Sequence, residues 1–162
     1  MSKEKIEFGD FQTPLELAEI ACERLVTLGV SPDVIIEPTC GVGAFVIASV
    51  NYFPSTKKVY GIDINSDYLD VLEGALCGHP LQNVVSIEHG DFFRYDWVGK
   101  SSDVDGNLLV LGNLPWVTNT VQSKIDSYNV PEKDNVVGLG GLDAITGKAN
   151  FDISEWMMID ML

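Results

Sequence analysis

The chain has 162 residues, the length of one domain, and its 46% hydrophobic content is enough for a core. A formal net charge of -14 argues against a surface that grips a phosphate backbone unaided, since that grip relies on Lys and Arg. The 3 cysteines, Cys22, Cys40 and Cys77, lie at no metal-ligand spacing, no apolar run spans a membrane, and Met1 to Glu7 lacks a signal-peptide core, so a cytoplasmic protein with reduced thiols and no metal is expected.

Residues 1 to 10 read as a loose polar start. Thr13 is placed to cap a first helix, with Pro14 as its first residue and Glu16 completing a capping box. Leu17, Ile20, Ala21, Leu25 and Leu28 recur at helical spacing and predict the buried face, and Gly29 and Pro32 end the element. Phe11 reads either as a contact near this cap or as a wall of a ligand site.

Val34-Ile35-Ile36 is a short β-branched run and predicts a buried strand. Glu37-Pro38-Thr39-Cys40-Gly41-Val42-Gly43 follows as a glycine turn, and Ala44 to Tyr52 reads as a helix. Strand, glycine turn and helix together hold nucleotide-like ligands at the carboxyl edge of a parallel sheet. A dinucleotide fits poorly, because its fingerprint needs a third glycine and the Glu37 charge would repel a pyrophosphate. A ligand with a ribose and a positive charge, such as S-adenosylmethionine, fits better.

Lys58 to Asp63 predicts a second strand with Asp63 at its carboxyl end, where a carboxylate takes ribose hydroxyls. Asn65 or Ser66 caps a helix from about Asp67 to Leu76, with Tyr68, Leu69, Leu72 and Leu76 inward. His79 falls in a surface turn. Asn83 to His89 predicts a third strand, followed by Asp91-Phe92, an acceptor for an adenine amine beside an aromatic ring. His89 reads as a structural strand-end residue. A polar excursion from Phe93 to Gly106 contains Trp97, expected to fold back onto the body.

Asn107 to Gly112 predicts a fourth strand running into Asn113-Leu114-Pro115-Trp116. The Asn113 side-chain carbonyl and the Leu114 backbone carbonyl supply two acceptors, Pro115 stiffens the turn, and Trp116 offers a stacking face. That set suits a planar base with an exocyclic amine. Accepting both N–H bonds aims the nitrogen lone pair at a methyl donor and draws off charge as it develops. Val136 to Leu142 is too glycine-rich for a steady element, and Ser154 caps a final apolar helix reaching Leu162.

The order of these motifs resembles the adenine-N6 DNA methyltransferases in which the cofactor motifs precede the catalytic tetrad. Phe11-Gln12-Thr13-Pro14 resembles their N-terminal cofactor motif and Glu37 to Gly43 their glycine motif. Asp63, Asp91 and Phe92 match their ribose and adenine positions, and Asn113 to Trp116 their Asn-Pro-Pro-aromatic tetrad. The resemblance implies a partial Rossmann-like α/β methyltransferase fold of about four parallel strands with flanking helices. It implies that Phe11, Thr13, Glu37, Pro38, Thr39, Gly41, Gly43, Asp63, Ile64, Asp91 and Phe92 border S-adenosylmethionine. It implies that Asn113, Leu114, Pro115 and Trp116 hold a flipped adenine in DNA. Leu114 departs from the usual proline and is similar to the ribosomal-RNA adenine dimethyltransferases. Cytosine N4, RNA adenine and protein-amide substrates, and a non-catalytic interaction domain, therefore stay open as alternatives. Residues 1–162 are expected to be the N-terminal part of a larger enzyme without its target-recognition domain, with self-association or a companion chain covering the incomplete sheet.

Overall fold

The computed structural model describes residues 11–102, 104–115 and 153–161. They belong to two units: Gln12–Asn113, and a second that includes Phe11, Leu114, Pro115 and the helix Ile153–Asp160. In the first unit α1 (Leu15–Thr27), β1 (Val34–Glu37), α2 (Ala44–Tyr52), β2 (Lys58–Asp63), α3 (Ser66–Leu76), β3 (Val85–His89), α4 (Trp97–Ser102) and β4 (Leu108–Val110) follow one another. The helix of the second unit is α5.

The four strands form one parallel sheet in the order β3-β2-β1-β4. Val34 pairs with Lys58 on one side and Leu108 on the other, and Asp63 pairs with His89. The chain builds outward from β1 through β2 to β3, then returns to β1's other side with β4. The reversal lies between β1 and β4, and open α/β sheets bind ligands at such a switch point, outside the strands' carboxyl ends. β1 is buried along its whole length, which suits its central place and its β-branched run.

Ile35 and Val59 meet Val46, Val50, Leu69, Leu72 and Leu76 in the core that joins the sheet to α2 and α3. Each such aliphatic side chain, fully buried, contributes roughly 1.5–3 kcal/mol. At the amino end of the strands the Asp33 carboxylate accepts the Asn107 N–H at 2.9 Å and pairs with Lys57 at 2.9 Å. The Asn107 bond first, and Lys57 second, hold its pKa below the ordinary aspartate value.

The four predicted strands and the helix over Ala44 to Tyr52 are present, and Asn65 caps α3 by accepting the Asp67 N–H at 3.0 Å. The first helix differs in two ways. Pro14, not Thr13, is its N-cap, because the Pro14 carbonyl accepts from Leu17 at 3.0 Å, and no side-chain cap forms. Its buried positions are Ala18 and Cys22, whereas Leu17, Ile20 and Leu28 are exposed. α1 lies on α2, whose surface is almost wholly apolar, and small residues four apart allow the close approach.

Candidate functional site

The site begins where β1 stops. The N-cap of α2 is Gly43, which has no side chain to satisfy the helix's first N–H groups. The Glu37 carboxyl supplies that cap by accepting the Val46 N–H. Glu37 is only 3% exposed. Burial pushes its pKa well above the ordinary glutamate value, and the nearby Asp63 charge pushes the same way, against the Val46 bond. Its Oε2 is a buried oxygen with no hydrogen-bond partner, as is Thr39 Oγ1. Two unpartnered polar oxygens within three positions of one turn are what an amine-bearing ligand would satisfy.

The glycine turn is tied down on every side. Gly41 N–H donates to Asp63 Oδ2 at 2.7 Å, Val42 N–H to Gln12 Oε1 at 3.0 Å, and Gly43 N–H to the Cys40 carbonyl at 2.8 Å. These N–H groups already have partners, so the turn is not a phosphate cradle, in accord with the exclusion drawn from Glu37. Both glycines adopt positive φ, +53° at Gly41 and +85° at Gly43. A Cβ at Gly43 would overlap Leu72, and one at Gly41 would overlap the Gln12 carboxamide. The room cleared by the glycines is thus filled by this chain's own side chains.

Asp63 stands at the end of β2. Its Oδ1 accepts the Asn65 N–H at 2.8 Å, so Asp63 ties the β1 turn to the β2 turn. Ile64 is exposed, and His89 Nε2 meets its carbonyl at 2.9 Å, the structural role expected of that histidine.

Asp91 leaves β3 and caps the turn Phe92–Arg94, its Oδ1 accepting the Phe93 N–H at 3.1 Å. Phe92 is buried against Trp97 with ring centroids 5.0 Å apart, and Trp97 Nε1–H donates to the Phe92 carbonyl at 2.8 Å. Trp97 therefore folds back, as its sequence position suggests. Pro38 is fully buried beside the turn.

Gly112 follows β4 so closely along the turn that a Cβ on it would stand 3.5 Å from Glu37 Cγ and 3.8 Å from Pro38 Cδ. Asn113, exposed, comes next. The first unit thus gathers Glu37, Pro38, Thr39, Gly41, Gly43, Asp63, Ile64, Asp91 and Asn113 at the carboxyl edge of the sheet. Thr13 immediately precedes the α1 cap. Phe11, Leu114 and Pro115 belong to the second unit, and Trp116 lies outside the described residues, as do the glycine-rich stretch 136–142 and the loose start, 1–10. In the sequence Gln12 stands out only as part of Phe11-Gln12-Thr13-Pro14, and Gly112 only as the end of the strand before Asn113. Among the described residues no cluster of His, Cys, Asp and Glu is arranged to hold a metal ion, and no helix is long and apolar enough to cross a membrane.

The family described as N-6 DNA Methylase matches residues 1–137. The Type II methyltransferase M.NspV of Nostoc sp. is 51% identical over 162 residues, covering 100% of this chain and 34% of the relative. The Type II methyltransferase M.CvrRI of Paramecium bursaria Chlorella virus XZ-6E is 28% identical over 134 residues, covering 83% of this chain and 31% of the relative. The chain thus spans about a third of the length of these two curated relatives. The candidate RNA methyltransferase PH1948 of Pyrococcus horikoshii superposes with a TM-score of 0.51 at 15% identity, over 67% of this chain and 51% of its own, which shows a shared fold. The carboxylates at successive strand ends, the turn beside Glu37 and these matches agree: the chain belongs to the N-6 DNA methylase family, whose cofactor is S-adenosylmethionine.

Proposed function

We propose that this chain carries the cofactor site and the catalytic asparagine of an enzyme that methylates the N6 amine of adenine in DNA. The observation that carries the reading is the buried Glu37 carboxyl. It has an unpartnered Oε2, and Asp63, Asp91 and Asn113 stand at the neighbouring strand ends. Glu37 pairs with the cofactor's amino group, Thr39 and Thr13 border its methionine end, and Asp63 accepts from the ribose hydroxyls. Ile64, Asp91 and Phe92 form the adenine subsite. When bound, S-adenosylmethionine supplies an electrophilic methyl group on a sulfonium.

The Asn113 side-chain carbonyl and the Leu114 carbonyl accept the two N–H bonds of the target amine. Holding both hydrogens leaves the nitrogen lone pair directed out of the base plane. The same two dipoles stabilise positive charge on nitrogen as its bond to carbon forms. Trp116 stacks on the extruded base. Leu114 in the tetrad is the one residue that favours a second reading, an RNA adenine substrate, and DNA and RNA oligonucleotides offered to the full-length enzyme separate the two.

DNA contacts beyond the target base fall to the remainder of the longer protein. Self-association or a companion chain also belongs to this reading, because among the described residues β4 ends the sheet on one side, with Leu108 and Val110 exposed. The decisive experiment is Asn113→Ala in the full-length enzyme. Cofactor affinity by calorimetry should stay at the wild-type value, while methyl transfer to DNA falls by about a hundredfold or more. Full activity in that variant would end the catalytic assignment.

A further inference from the structure

We propose that Gln12 is a positioning residue for the amino-acid end of the cofactor, acting as a clamp between the start of α1 and the glycine turn. The proposal deepens the cofactor reading above and rests on it.

Two contacts of the Gln12 carboxamide place the clamp. Gln12 Oε1 accepts the Val42 N–H at 3.0 Å, a bond between residues 30 positions apart. The same carboxamide fills the space that a Cβ on Gly41 would need. Gln12 therefore lies flat along two successive residues of the turn. Neither contact is demanded by the hydrophobic core. Gln12 is exposed, and α1 is already anchored on α2 through Ala18 and Cys22.

The position of the clamp gives it a use. Gln12 is followed directly by Thr13 and then by Pro14, the α1 cap. Pro14 restricts the residue before it to extended backbone, so Thr13 has little freedom to swing independently of Gln12. On the other side of the bond, the turn it grips follows Glu37 and carries Thr39, two of the groups with unpartnered buried oxygens among the described residues. Fixing Gln12 to Val42 thus sets the distance between Thr13 and that pair. Of the ribose and adenine carboxylates, Asp91 is held by a bond outside the turn, to Phe93, and Asp63, which also bonds Gly41, keeps its own bond to Asn65. Loss of the clamp should loosen the grip on the amino-acid end and leave the nucleoside end intact.

The test compares two ligands on the full-length protein by calorimetry. S-adenosylhomocysteine has both ends, and 5′-methylthioadenosine lacks the amino and carboxyl groups. Gln12→Met keeps the length of the side chain and removes the acceptor, while Gln12→Glu keeps both. Because one exposed hydrogen bond is at stake, Gln12→Met should weaken S-adenosylhomocysteine about fivefold and change 5′-methylthioadenosine by less than about twofold. Gln12→Glu should restore the wild-type ratio of the two affinities.

Equal weakening of both ligands would overturn the proposal, since it would show that Gln12 only stabilises the turn. No weakening of either, or no recovery in Gln12→Glu, would overturn it too. Failure of the cofactor reading looks different: wild-type protein would bind neither ligand.

Discussion

Glu37 is the residue at which the fold departs furthest from what a carboxyl prefers. It is buried, it caps α2, and one of its oxygens has no partner. Because its pKa in the folded chain stands above the unfolded value, the folded state holds a proton that the unfolded state has already lost. The sign follows. Stability from this group is complete below the ordinary glutamate pKa and is lost as pH rises through the raised one. Denaturant midpoints should therefore decline as pH rises above the ordinary glutamate value, and Glu37→Gln, which keeps the Val46 acceptor and cannot ionise, should flatten the decline. A slope unchanged in Glu37→Gln would assign the effect to another group. The same linkage reaches the cofactor. An ammonium group arriving at Glu37 favours its carboxylate, so calorimetric titrations in buffers of different ionisation enthalpy should register proton release that Glu37→Gln abolishes.

At the scale of elements, the segment after β3 shows how a polar stretch is folded against a sheet. Lys100 of α4 bonds both oxygens of Glu88, at 2.8 and 3.0 Å, and its ammonium lies 4.1 Å from the centroid of the Tyr60 ring. Tyr95 donates its hydroxyl to the same carboxylate. A Cβ on Gly90 would stand 2.7 Å from the Tyr95 ring, so the strand exit and the tyrosine are in direct contact. Partial burial alone would raise the Glu88 pKa, but the bonds from Lys100 and Tyr95 outweigh it and hold the carboxyl below its ordinary value. The sign is opposite to that of Glu37: this stability is present above the unfolded glutamate pKa and is lost as pH falls through the depressed one.

Lys100→Met keeps the aliphatic stem and removes the ion pair. Its cost is discounted because part of each partner meets water, and about 1 kcal/mol is expected near neutral pH, shrinking in acid. Chemical denaturation at both pH values measures it, and a loss independent of pH would point to packing instead. The α1 helix carries the complementary lesson. Leu17, Ile20 and Leu28 form as good an apolar stripe as Ala18, Cys22 and Leu25, and hydrophobic spacing alone does not choose between overlapping stripes. The choice fell to α2, against which the small Ala18 and Cys22 are buried with Leu25 packed beside them.

For the molecule as a whole, the parallel order β3-β2-β1-β4 brings Glu37 and Asn113, far apart in sequence, to the two sides of one switch point. Charge is the other property of this scale. At a net charge of -14, the 162-residue chain alone should bind duplex DNA too weakly to detect at about physiological salt. Fluorescence anisotropy with a labelled duplex tests this, and submicromolar binding by this chain would locate the DNA grip here and not beyond it.

What the sequence determined by itself is local. β2 over Lys58–Asp63 and α2 over Ala44–Tyr52 were legible to the residue, because β-branched runs, glycines and caps act within a few positions. So was the placing of Glu37, Asp63, Asp91 and Asn113 after the strands, because each follows a short apolar run in sequence order. Tertiary structure alone decided which face of α1 is buried, that Gln12 reaches Val42, that Gly112 runs beside Glu37, and that one oxygen of Glu37 is stranded without a partner. Each of these depends on what another, distant segment presents at the point of contact, and residue spacing along the chain does not carry that information.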